Sequence, residues 1–126
     1  MSSLAGKTVI VTGASKGIGA ATAHAVIKAG ARLIAHYGND RAGAEKATSF
    51  ARDGQVTLLK SDFSNMDAVD AFWSQALKAA DGYIDVLVNN AGIMHQIGGI
   101  EDPIEDWEEA WSHSIAVNVK APARLL

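Results

Sequence analysis

Residues 11–19 read VTGASKGIG. They continue a β-branched, apolar run, KTVIVT at residues 7–12, and lead into alanine-rich sequence from Ile18 to Ala29. A short apolar run bounded by glycines reads as a buried strand, and helical spacing closed by Gly30 reads as a helix with a glycine C-cap. The three glycines therefore stand between a strand and the amino end of a helix. Such an end presents unpaired N–H groups and partial positive charge, which attract phosphate. Glycine lets the backbone turn tightly there and approach a ligand closely. The spacing is Gly13-x-x-x-Gly17-x-Gly19, neither G-x-G-x-x-G nor a Walker loop, so a glycine-rich turn without a ligand is the alternative at this point.

The same punctuation repeats along the chain. Arg32 to Tyr37 (RLIAHY) reads as a second strand, Gly38-Asn39-Asp40 as a turn, and Arg41 to Arg52 as a helix capped by Asp40 and closed by Asp53-Gly54. Gln55 to Lys60 is a third strand, Met66 to Ala80 a helix with Asn65 as N-cap and Gly82 after its end, and Ile84 to Val88 (IDVLV) a fourth strand. A loop over residues 91–102 follows, then helix from Pro103 onward, interrupted at Pro122. Continuous apolar strands alternating with helices predict a parallel sheet covered on both faces, and right-handed crossovers make it doubly wound. The expected strand order is 3-2-1-4, which leaves strand four at an edge.

The length of 126 residues corresponds to one domain, residues 1–126, and 48% hydrophobic content suits a globular core. No apolar run approaches the length of a membrane span, and the amino terminus lacks a charged region ahead of an apolar stretch, so neither a transmembrane helix nor a signal peptide is expected. With no cysteine there is no disulfide and no thiolate metal site, and the cytoplasm is the default location. The net charge of −3 argues against a general nucleic-acid binder. Residues 1–63 hold eight Lys and Arg against four Asp and Glu, whereas residues 64–126 hold three against ten. A basic first half fits an anionic ligand, or is merely an uneven solvated surface.

Asn89-Asn90-Ala91-Gly92 follows the fourth strand directly. In an open α/β sheet, ligands bind outside the carboxyl ends of the strands, so this loop lies beside the glycine loop. Ala91 and Gly92 leave room for a flat ligand, while the asparagines can also tie strand ends together. Asp62, after the third strand, could accept from an adenine amino group or simply lead the next helix. The histidines, at 24, 36, 95 and 113, show no metal-ligand spacing, and His95 lies where a substrate would approach. The acidic run from Glu101 to Glu109 opens the last helix and complements its dipole. Trp107 and Trp111, four apart, share a face and are expected to pack against core or a partner subunit.

TGASKGIG at 12–19, Asp62, NNAG at 89–92 and VNV at 117–119 together resemble the short-chain dehydrogenase/reductase family, in order and spacing along the whole chain. HYGNDRAGAE looks most like its 3-oxoacyl-carrier-protein reductases and their relatives. The resemblance implies a Rossmann-like sheet, a nicotinamide cofactor and hydride transfer between an alcohol and a carbonyl. It places Gly13, Ser15, Lys16, Gly17, Ile18 and Gly19 around the pyrophosphate and adenosine ribose, with Asn39 and Arg41 close by. Asp62 and Phe63 would flank adenine, and Asn90, Ala91 and Gly92 would line the cofactor's central stretch. Asn118 matches a helix asparagine that supports a proton relay; otherwise it is a polar residue satisfying backbone at a helix kink.

The end of strand two, His36-Tyr37-Gly38, has no acid to bond both ribose hydroxyls, and Lys16 and Arg41 are cations suited to a 2′-phosphate. NADP(H) is therefore preferred over NAD(H), with Asp40 a dissenting charge or only a helix cap. The family protonates its substrate with a serine and a Tyr-x-x-x-Lys pair beyond the asparagine, and these 126 residues contain no such set. Tyr37 with Arg41, and Tyr83, lie too far from the nicotinamide to substitute. The expectation is a fragment: the cofactor-binding half of an oxidoreductase that forms dimers or tetramers, without turnover of its own. A non-catalytic nucleotide-binding or interaction protein is the alternative. The substrate would be a small carbonyl or alcohol, with no nucleic acid, membrane or metal involved.

Overall fold

The structure is a computed structural model that describes residues 3–94 and 100–126. Its elements alternate: β1 (Thr8–Val11), α1 (Gly17–Lys28), β2 (Arg32–Tyr37), α2 (Arg41–Thr48), β3 (Val56–Lys60), α3 (Met66–Ala79), β4 (Val86–Val88) and α4 (Ile104–Ile115). A π-helical turn over Ala116–Lys120 joins α4 to α5 (Ala121–Leu125). All strand pairs are parallel and the order is β3-β2-β1-β4, as expected.

The strands are largely apolar because both sheet faces are covered, with Arg32, His36, Thr57 and Lys60 among the exceptions. Side chains alternate along a strand, so Val9 and Val11 join Leu33 and Ala35 under α1, which contributes Ala23, Val26 and Ile27. Ile10 and Ile34 point the other way, into a cluster with Val69, Phe72 and Ala76 of α3 and Ala121 and Leu125 of α5. Arg124 reaches Asp70 through both Nε and a terminal nitrogen (2.6 and 2.8 Å), pinning α5 to α3 at the surface. That pairing holds the Asp70 carboxyl below its ordinary range.

Two boundaries differ from expectation by more than one residue. Helix α2 ends at Thr48 rather than Arg52. The Thr48 hydroxyl donates back to the Ala44 carbonyl, and the Gln55 amide draws the following turn inward, accepting from Arg52 N and donating to the carbonyls of Ile27 and Ala31. Strand β4 begins at Val86 rather than Ile84, because Asp85 uses its carboxylate on the Thr8 amide (2.8 Å). Pro122, which has no N–H, sits in the first turn of α5 just past the π turn. β4 is an edge strand, with Val86 40% exposed, and no α4 residue is buried. Trp107 and Trp111 do share a face, their rings 5.9 Å apart, and both are exposed.

Candidate functional site

The glycine loop crosses the carboxyl ends of β1 and β2. Gly13 takes φ +67°, and a Cβ there would lie 2.9 Å from Ala91 Cα. At Gly19 a Cβ would lie 1.9 Å from the Gly13 carbonyl oxygen and 2.5 Å from Asn90 Nδ2. Both positions thus require glycine: the first turn of α1, the loop and the NNAG segment touch backbone to backbone. Lys16 is the N-cap of α1 but makes no side-chain cap bond, and no acid occupies the first turn. The amino end of α1 consequently offers its N–H groups and dipole outward, beside the exposed Lys16 and Ile18.

The two loops are laced together by Thr12 and Asn90. Thr12 Oγ1 accepts from the amides of Asn90 (3.0 Å) and Ala91 (2.9 Å). Asn90 Nδ2 donates to the carbonyls of Thr12 and Gly13, both at 3.1 Å. The tying role of the asparagines is realised at Asn90, while Asn89 donates to the Pro122 carbonyl. Thr12 carried no such signal in the sequence, since a threonine closing a strand is ordinary.

At the end of β2, Ser15 Oγ donates to the Asp40 carbonyl (2.7 Å), and the Asp40 carboxylate accepts from Gly43 N as the cap of α2. The dissenting charge is thereby occupied as a helix cap. Arg41 donates to the Tyr37 hydroxyl and to Glu45. Its side chain is still 59% exposed. Gly38, Asn39 and Asp40 line a depression with Ser15, Lys16 and Asn90 to Gly92.

A second cleft, of about 380 Å³, continues past Gly13, Asn39, Asp62, Ala91, Gly92 and His113. Asp62 Oδ1 accepts from both the amide and the hydroxyl of Ser64, which holds its carboxyl below the ordinary range. Asp62 therefore is a turn-forming residue, and it also faces the cleft. Phe63 lines the same cleft, although its ring is buried, stacked 3.9 Å from that of His36. Asn118 lies in the π turn, and its amide closes a two-way clasp with Ile93: it accepts from Ile93 N and donates to Ile93 O, both at 2.8 Å. The backbone it satisfies belongs to the NNAG loop, 25 residues away, and not to its own helix. His95 lies outside the described residues.

His36 is a second feature that sequence reasoning missed. It is 3% exposed; Gly13 N–H donates to Nδ1 (3.0 Å), and Nε2 donates to the Ser61 carbonyl (2.9 Å). Burial pushes its pKa down to about 4, against a smaller upward pull from the Ser61 carbonyl. The unfolded chain thus takes up this proton first. Stability is expected to be undiminished by His36 above about pH 6.5, and to fall as the pH drops from there to about 4. Urea midpoints across that range check it, with His36→Asn showing a shallower fall.

Among the described residues no group of His, Cys, Asp and Glu could hold a metal, and no helix is long and apolar enough to cross a membrane. An uncapped helix end, glycine-lined, beside a second loop at the carboxyl ends of parallel strands, defines a Rossmann-like α/β protein. The family model for short chain dehydrogenase matches residues 7–126, and the chain belongs to that family of oxidoreductases. It is 36% identical over 107 residues to 3beta-hydroxysteroid dehydrogenase 1 of Eggerthella lenta, covering 83% of this chain and 41% of that protein. It is 34% identical over 110 residues to a 3-oxoacyl-[acyl-carrier-protein] reductase of Synechocystis sp., covering 86% and 44% respectively. Among solved structures, a metagenomic short-chain oxidoreductase in complex with NADP aligns with a TM-score of 0.77 and 40% identity, over 99% of this chain and 55% of that one. The chain thus spans about half the length of the relatives it matches.

Proposed function

We propose that this chain is the cofactor-binding half of an NADP(H)-dependent oxidoreductase acting on a small carbonyl or alcohol. The observation that carries this reading is the amino end of α1. It has neither side-chain cap nor acid, and glycines clear its approach. In that reading the cofactor supplies or takes up hydride, and the chain's residues bind and orient. The α1 amides, with Gly13, Ser15, Gly17, Ile18 and Gly19, receive the diphosphate. Asn39 and Asp62 with Phe63 border the adenosine, and Asn90, Ala91 and Gly92 seat the nicotinamide side. Asn118, fixed by its clasp on Ile93, would support a proton relay. The intact enzyme would be a cytoplasmic dimer or tetramer.

Lys16 and Arg41 support NADP(H) over NAD(H), because Asp40 is occupied as a cap and β2 ends without an acid. The solved NADP complex of a relative adds to that support. Calorimetric titration tests both levels. Saturable NADPH binding is expected, and K16A/R41A is expected to weaken it by roughly tenfold while changing NADH affinity by less than about threefold. Equal losses for the two cofactors would remove the preference. No saturable binding of either would remove the function.

A further inference from the structure

We propose that His36 is a positioning residue for the cofactor loop: its neutral ring pins Gly13 against the end of β3 and so sets the geometry in which the loop meets a dinucleotide. This rests on the cofactor reading above. The ring stands at the last-but-one position of β2, between the two elements it joins. With Nδ1 accepting from Gly13 N–H, the proton must sit on Nε2, which donates to the Ser61 carbonyl. Stacking on Phe63 at 9° and an edge contact to Phe72 leave the ring one plane to occupy. The adjacent Ala14 amide donates to the His36 carbonyl (2.9 Å), so backbone and side chain of one residue hold two successive amides of the loop. A polar ring buried in the middle of the sheet costs burial energy unless both nitrogens are paired, and here both are.

The two halves of the imidazole can be tested separately. In His36→Asn the amide oxygen replaces Nδ1 and keeps an acceptor for Gly13 N–H. In His36→Gln the amide nitrogen replaces Nε2 and keeps the donor to Ser61, leaving Gly13 N–H without its partner. Near neutral pH, H36N is expected to bind NADPH within about threefold of the unmodified chain, and H36Q roughly tenfold more weakly. The two are expected to have similar thermal stability, so affinity and stability separate. Equal affinities for H36N and H36Q would overturn the assignment, as would wild-type affinity in H36Q. Hydrogen exchange at the Gly13 amide reads the pin without any ligand: protected in the unmodified chain and H36N, and exposed in H36Q. If no form bound NADPH, the cofactor reading would fall, and Gly13 exchange would still decide the pin. On the unmodified chain alone, the ¹⁵N spectrum should show His36 protonated on Nε2, with a coupling across the hydrogen bond from Gly13 N–H to Nδ1. The opposite tautomer would overturn it.

Discussion

Gly19→Ala is expected to weaken NADPH binding by roughly 100-fold, equivalent to about 2.7 kcal/mol. The added methyl would sit 1.9 Å from the Gly13 carbonyl oxygen and 2.5 Å from Asn90 Nδ2. The first contact is with backbone, which cannot swing aside as a side-chain tip would. Relief requires the first turn of α1 to lift from the loop, and that turn carries the amides proposed to receive the diphosphate. Overpacking of this kind also costs about 1–3 kcal/mol of stability. Gly17→Ala is the control for added bulk alone: φ is +60° there, but a Cβ meets nothing within 4 Å. Its effect should come from backbone strain, near 1 kcal/mol. Calorimetry on both variants checks the contrast, and a G19A variant binding as tightly as the unmodified chain would refute the close approach.

Thr12→Val is expected to lower unfolding stability by about 1–3 kcal/mol, chiefly by orphaning the Ala91 amide, since Asn90 N–H keeps its second acceptor, the Val88 carbonyl (3.1 Å). The shapes nearly match, so the hydroxyl is isolated as the cause. Thr12 is 1% exposed, and its oxygen is the acceptor for Asn90 N and Ala91 N. Urea unfolding should show a lower midpoint with an unchanged slope. Cofactor affinity should fall as well, because the same oxygen holds the NNAG loop against the glycine loop. A loss below about 0.5 kcal/mol would mean that the Ala91 amide finds another partner.

The fold was legible because its signals are local. Each apolar strand is followed by a turn containing glycine or asparagine and then a helix, and Asp40 and Asn65 cap α2 and α3 where their types and positions indicated. The strand order followed from β-α alternation and from loops that had to meet. The boundaries at Thr48 and Ile84 were not legible, since Gln55 and Asp85 reach partners distant in sequence and alter the ends. The glycine and NNAG loops of the site were legible as motifs. Their lacing was only half so: Asn90 was a candidate tie, but its counterpart Thr12 looked like any strand-end threonine. The two bonds of His36 were unreadable because a histidine within RLIAHY has no spacing to betray its backbone partners. Asp62 had two readings in sequence; its Ser64 bonds settle the turn and leave the adenine contact as a proposal.

The cradle at the head of α1 is made almost wholly of main-chain groups. Proline apart, a point mutation cannot delete an amide N–H; it can only obstruct one by adding atoms. Residues 16 and 18, whose side chains are exposed, can change without closing that cradle, a change at 16 altering only which cofactor is preferred, while 13 and 19 tolerate no addition. A lineage built on such a cradle could exchange its outward chemistry many times over and still inherit the same grip.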